Sequence, residues 1–441
     1  MLSNLALSAR LLALVTFVHA SITVETIDGL FVPLSFARRA GDGPIGVRLT
    51  NKNDVSYLTP VLMGTPPQTI QMSPSLSQNF IAVASPPTGV NDQSFYNPSI
   101  STSYTAGIGT ASTQTISGES VQGIYAGETC TLQSATSASA FSYNASIILT
   151  NSAVTNDLYP LGARGVLGYG LGSPSDAPPN ASLVGTFLPS NFSHAVCGIE
   201  LNHFDDPVPD GILMMGAVDP TVFTGNFSNA MVPASSPTSW SVAFDNLTYI
   251  ANGVSQSMAG MLASVDMYHS DIQITSDAAA QLYAGVPGSQ AISNAHWSIP
   301  CTSKFPITLT FSGTPFTMTE RDTIIKQSDG SCIGVVSGGA QLIGRVGAPF
   351  MRNVYTQFFA DQADGSVTFG VGFAAKNLRQ ASTSPTSPST STQPQLTVRP
   401  SATSTGVGQS SRSQLNVQDV GRSLRVMIIL VIAILSGLNL G

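Results

Sequence analysis

From about Leu49 to Ala375, β-branched and aromatic segments alternate with turn residues over short distances. The run Met351-Arg-Asn-Val-Tyr-Thr-Gln-Phe-Phe359, then Asp364-Gly365, then Ser366-Val-Thr-Phe369 has the form of a hairpin. Two β-prone segments flank a dipeptide that tolerates positive φ. No long stretch of this body keeps the 3.6-residue period of an amphipathic helix. The pattern predicts an all-β fold.

The two ends carry unbroken apolar runs that do not fit this pattern. Leu11 to Val18 follows Arg10 and precedes the small-x-small sequence Val18-His19-Ala20. It reads as a secretory signal over 1–20, cut after Ala20. Val426 to Leu440 follows Arg422 and Arg425 and has no basic residue after it. It is shorter than the roughly 20 residues a spanning helix needs. Small residues around Ser410-Ser411 lie upstream, so 426–440 reads as a glycosylphosphatidylinositol attachment signal. One short transmembrane helix is the alternative. The stretch 376–425 reads as a stalk, densest over Ala381–Ser413, where 17 of 33 residues are Ser or Thr. Such a segment has too little apolar surface to fold; it is either O-glycosylated or a plain linker.

Composition sharpens the compartment. Only 9% of the 441 residues are charged, against about 25% in an average soluble domain. There are 40 Gly and 28 Pro, and the net charge is −7. Long charged helices are excluded, and electrostatic nucleic-acid binding is disfavoured. Hydrophobic residues make up 42%, enough for a large core. Asn-x-Ser/Thr sequons at Asn144, Asn180, Asn191, Asn226 and Asn246 predict N-glycosylation in a secreted chain. The four cysteines allow three pairings. Cys301 with Cys332 is the simplest pair, which leaves Cys130 with Cys197. No C-x-x-C or Cys/His cluster suggests a metal site, and no cofactor is implied. Residues 21–53 hold Arg38-Arg39, either a processing site ending a pro-segment or a chance pair.

Within the body, several segments occur in a specific order. They are Tyr57-Leu-Thr-Pro-Val-Leu-Met-Gly-Thr-Pro-Pro-Gln68, Phe95-Tyr-Asn-Pro-Ser-Ile-Ser-Thr-Ser-Tyr104 and Gly165-Val-Leu-Gly-Tyr-Gly170. Gly211-Ile-Leu-Met-Met-Gly-Ala-Val-Asp219, Leu342-Ile-Gly344 and Phe350-Met-Arg-Asn-Val-Tyr355 follow. Together they resemble the strand and turn segments of pepsin-like aspartic proteases over about 55–375. The resemblance implies a bilobal all-β body over 54–375, with homologous lobes of roughly 54–233 and 234–375 around a cleft. Val166-Leu167-Gly168 and Leu342-Ile343-Gly344 are read as the matching late elements of the two lobes.

The family's chemistry needs Asp-Thr-Gly in each lobe, two carboxylates sharing one proton and holding the attacking water. Aligned on its apolar flanks, the first loop has Ser73 for the Asp, Pro74 for the Thr and Ser75 for the Gly. The second keeps Asp266, with Met267 for Thr and Tyr268 for Gly. In the flap, Ile116 falls at the position of the family's Tyr. The resemblance therefore implies an aspartic-type endopeptidase fold whose activity is impaired. A working endopeptidase with a rearranged site is the alternative. Ser73, His269 and Asp266 supply Ser/His/Asp residue types, and His269, Asp266 and Asp271 could be drawn as metal ligands. Without a nucleophile elbow or a second ligand cluster, a solvated His in a decayed loop is the preferred reading. The expectation is a monomeric, lipid-anchored protein at the cell surface. Its cleft is expected to bind a peptide or cell-wall component.

Overall fold

The computed structural model describes residues 44–377 except 88–91, 115–119, 151–161, 172–194, 235–238, 252 and 364–365. The expected secretory and anchor signals, Arg38-Arg39, Asn180, Asn191, Ile116 and the expected stalk beyond Asn377 lie outside the described residues. No helix among the described residues is long and apolar enough to cross a membrane.

The fold is all-β. Period-2 burial follows the sequence directly: the strand Ile307–Phe311 buries Ile307, Leu309 and Phe311 and turns its threonines outward. The strand Ala140–Thr150 alternates in the same way over most of its length. The expected late hairpin is present. Val354–Ala363 pairs antiparallel with Ser366–Lys376, from Val354 opposite Ala375 to Ala363 opposite Ser366.

Most strands of the first half, with the closing hairpin, form one thirteen-stranded sheet. It curls back on itself through a second pairing between Ser56–Met63 and Ser120–Gln133. The second half adds a five-stranded and two four-stranded sheets. Strands from the two ends of the described body share the large sheet: Thr356 to Phe359 pairs with Val196–Glu200, which pairs in turn with Gly211–Met215. The strand Ile45–Lys52 completes this region by pairing with Gly211–Met215. The folded body therefore begins inside the stretch 21–53 read as an extension. At the other end, Lys376, counted with the stalk, closes the last strand opposite Phe223.

Aromatic packing joins the parts. Trp240 meets Phe358 and Phe369 edge-on at centroid distances of 5.3 and 5.8 Å, and its indole N–H donates to the Tyr169 carbonyl at 2.9 Å. Phe311, Phe350 and Phe373 form a buried knot, with Phe311 and Phe373 centroids 4.1 Å apart. The one helix of two turns or more among the described residues, Ser276–Ala284, is capped by the Thr275 side chain on the Ala278 N–H.

Cys301 and Cys332 form the expected disulfide, with Cα atoms 5.3 Å apart. The second pairing is corrected: Cys130 and Cys197 are free thiols. Cys130 lies in the first-half strand Ser120–Gln133, opposite Tyr143. Cys197 lies in Val196–Glu200, between Met215 and Phe358. Burial raises both thiols well above the ordinary range, Cys197 to about 12, so neither is a reactive thiolate. Of the described sequons, Asn226 is exposed. Asn144 and Asn246 lie on strands and accept hydrogen bonds from Thr129 and Thr310.

Candidate functional site

Two loops at the junction of the halves are built on one plan. In the first half, Ser73–Ser75 runs parallel to Val166–Gly168, and Ile81–Val83 returns antiparallel along the other side of that same strand. In the second half, Leu262–Val265 runs parallel to Ile343–Val346, and Ile272–Gln273 returns antiparallel along it. Ile81–Ala84 and Gly165–Gly168, and most of Leu262–Val265, are buried on both faces, which is why they show no alternation of apolar and polar residues.

The registers make the halves superimpose residue by residue. Ile81 pairs with Leu167 and Ile272 pairs with Val346, so these two pairs correspond. Pro74 faces Leu167 and Val265 faces Val346. Ser75 therefore corresponds to Asp266, Leu76 to Met267 and Ser77 to Tyr268. The glycines agree. A Cβ on Gly168 would lie 2.6 Å from the Gln78 carbonyl and 2.4 Å from that of Phe80. One on Gly347 would lie 2.3 Å from the His269 carbonyl and 2.4 Å from that of Asp271. Only glycine fits where a carbonyl passes this close.

Two expectations are corrected here. The counterpart of Asp266 is Ser75, not Ser73. The late element matching Val166-Leu167-Gly168 is Arg345-Val346-Gly347, not Leu342-Ile343-Gly344. A strand repeats every two residues, so Ser73 and Ser75 share a face and the apolar flanks do not choose between them. Leu342 is in fact 85% exposed. The common six-residue step from Ser75 to Ile81 and from Asp266 to Ile272, read with the two glycines, was the signal that distinguishes the registers.

Asp266 is fully buried, and its carboxylate is enclosed by donors from both loops. Oδ1 accepts from the Leu76 N–H at 2.8 Å and the Tyr268 N–H at 3.0 Å. Oδ2 accepts from the Ser75 hydroxyl at 2.7 Å, the Ser77 N–H at 3.0 Å and the Ser77 hydroxyl. A carboxylate has about four lone-pair sites, so five donors saturate it. Four of the five come from the first-half loop. The arrangement welds the two halves together at this point, and Asp266 has no exposed surface on which to hold a water.

The other candidate chemistries are not assembled. The ring of His269 meets Tyr268 edge-on, with centroids 5.5 Å apart, and none of the hydrogen bonds to the Asp266 carboxylate comes from it. Its Nε2 is buried without a partner, and burial lowers its basicity. Asp271 accepts instead from Ser337 and from Arg345 at 3.1 Å. Among the described residues, no three His, Cys, Asp or Glu side chains converge on a position for a metal ion.

A second buried aspartate lies away from these loops. Asp322 accepts from Arg352 Nε, His203 Nε2 and Asn353 Nδ2, each at 2.8 Å, and from Thr319 Oγ1 at 2.9 Å. Burial pushes its pKa up, but the hydrogen bond from His203 and the charge of Arg352 outweigh this and hold it at about 2. Arg352 also donates to the Asp54 carbonyl at 3.1 Å. This network ties the first hairpin and the 201–206 segment to the second half.

Paired loops, each carrying a parallel and an antiparallel strand around a central one, are repeated across an all-β body. The eukaryotic aspartyl protease family matches over residues 56–371, well over half of the chain. The chain belongs to this family. Similar curated members include the probable aspartic-type endopeptidase CTSD of Arthroderma otae, 27% identical over 52% of this chain and 59% of that protein. The aspartic-type endopeptidase ctsD of Aspergillus fumigatus is 25% identical over 53% of this chain and 48% of its own. The major aspartyl peptidase 1 of Cryptococcus neoformans is 23% identical over 37% of this chain and 36% of its own. The chain spans about half the length of the curated relatives it matches. Its body is the family's pepsin-like bilobal fold.

Proposed function

We propose that this chain is a non-cleaving member of the aspartyl protease family, displayed at the cell surface, in which Asp266 is a structural tie between lobes. The observation that carries the reading is the pairing of Asp266 with Ser75. Peptide hydrolysis by this fold needs two carboxylates that share a proton and hold a water between them. A serine hydroxyl cannot take the second role, because it does not ionise in the acid range. It also donates to Asp266 in the place where a shared proton or a water would sit. Leu76 and Met267, at the two Thr positions, have no hydroxyls to cross-link the loops. The surface location is supported by the apolar ends and the Ser/Thr-rich stalk. Loss of cleavage leaves peptide or cell-wall binding as the use of the fold.

The test is acid-pH hydrolysis of denatured casein by the ectodomain, with and without pepstatin. Turnover should stay at background in wild type, in Asp266→Ala and in Ser75→Asp, since the flanking loop residues remain altered. A pepstatin-sensitive wild-type rate that disappears in Asp266→Ala overturns the reading.

A further inference from the structure

An edge strand offers unpaired backbone to any other extended chain, and folds blunt it with a bulge, a Pro, a charge or shortness. Among the described residues, every edge strand but one is blunted. Thr105–Gln114 and Phe223–Met231 end the thirteen-stranded sheet, and each is broken by a register shift, between Ala106 and Thr110 and between Thr224 and Ser228. Thr314–Thr317 is four residues long and contains Pro315. The edges of the other two sheets, Ser241–Ala243, Val336–Ser337, Gln290–Ala291 and Ile324–Lys326, have two or three residues each.

Val254–Ala259 is the exception. It ends the order of its four-stranded sheet, and its 6 residues stay in unbroken register with Asn246–Ala251. Its sequence, Val-Ser-Gln-Ser-Met-Ala, holds no charge and no Pro, and every residue but Met258 is exposed. The sequon at Asn246 lies on the strand beside it. Asn246 faces Ala259 of the edge on one side and Thr310 on the other. The Thr310 hydroxyl donates to Asn246 Oδ1 at 3.0 Å, and Nδ2 has no partner among the described residues. The nitrogen that takes a sugar is therefore the end left free. Thr248, the third residue of the sequon, shares this face and lies opposite Ser257 of the edge.

We propose that Asn246 carries an N-glycan that guards the Val254–Ala259 edge against pairing with the same strand of a second copy. The inference rests on the surface location in the reading above, since the modification belongs to the secretory route, and it adds what keeps the displayed body monomeric. The donor is a lipid-linked diphosphate oligosaccharide. The bond from Asn246 Nδ2 to the sugar C1 forms, the C1–O bond to the diphosphate breaks, the lipid diphosphate leaves, and Nδ2 gives up one proton. A bulky, hydrated glycan one strand in from the edge fills the space that the side chains of an added strand need on that face. Without it, the edge meets its copy antiparallel, with no like charge to oppose the contact.

For the test, the full chain is expressed in a yeast secretory host and every variant is purified in the same mild detergent. Glycopeptide mass spectrometry reads each sequon, sedimentation velocity reads self-association, and thermal melts verify folding. Asn246 is expected to be occupied. Asn246→Gln and Thr248→Ala remove the sequon by separate routes and are expected to raise the self-association constant by about tenfold or more. Thr248→Ser keeps the sequon and stays monomeric. Adding Ser257→Lys to Asn246→Gln charges the bare edge and restores the monomer. Asn226→Gln, on a strand already broken by a bulge, stays monomeric. A bare Asn246 beside other occupied sequons overturns the proposal and leaves the surface location standing; if no sequon is occupied, both fall. Folded variants that associate no more than wild type overturn the guard, and so does equal association by Asn226→Gln. Where neither variant folds, an endoglycosidase trims the glycans of folded wild type to one sugar, and a product that stays monomeric overturns the proposal.

Discussion

Asp266 and Asp322 are the two buried aspartates among the described residues, and their surroundings are opposite in kind. Asp266 is held entirely by neutral donors, three peptide N–H groups and two serine hydroxyls. Asp322 is held by the Arg352 guanidinium and the His203 ring, with two neutral donors beside them. A buried carboxylate can be stabilised by preorganised dipoles or by a counter-ion, and both ways join segments distant in sequence. They differ in what is stranded when the carboxylate is lost. Around Asp322 a charge is left buried, whereas around Asp266 only hydrogen-bond donors are left unpaired.

Asp322→Ala is therefore expected to give the largest effect, a loss of about 3–5 kcal/mol in denaturant unfolding, because Arg352 remains buried without its partner. Asp266→Ala should lose less, about 2–4 kcal/mol, as several buried donors lose their acceptor. If the two substitutions rank in the other order, the distinction between charge and dipole fails.

Acid tests the Asp322 side. The folded pKa of Asp322 is about 2, below its unfolded value. Its contribution is fully present above about pH 4 and is lost as pH falls through 2, amounting to roughly 2–3 kcal/mol. In Asp322→Ala that component of the acid transition should be absent from a series of urea melts between pH 6 and 2.

The smallest effect sharpens the Asp266 side. Ser75→Asp places a like charge against Asp266, which raises one carboxyl pKa of the pair. A raised carboxyl pKa removes stability as pH climbs past the unfolded value near 4. The variant should therefore be about 1–2 kcal/mol less stable than wild type at pH 7 and close to it at pH 4. A uniform penalty at both pH values would mean that residue 75 does not face Asp266.

The hairpin at 354–376 was legible because strand periodicity and a turn dipeptide are local signals. The Cys301–Cys332 bridge was legible because the two residues close a modest loop. The family was legible in the order of its strand and turn segments. Register was harder to read: Ser73 and Ser75 are equivalent to a pattern that repeats every two residues, and the equal spacing to Ile81 and Ile272 becomes decisive once the strand pairings of the two halves are compared. The Asp322 network was equally invisible, since His203 and Arg352 lie far from it along the chain and nothing local marks them as partners.

By itself, then, the sequence determined the all-β class and the presence of a lone aspartate in the second loop, since these depend on residue type and short-range order, and the two-lobed plan followed from the family resemblance. Tertiary structure alone decided that Ser75 faces Asp266 and that serine and peptide donors fill its carboxylate. Those facts depend on how separately folded segments are brought into register, and the energies that fix register are contacts between residues nearly two hundred positions apart.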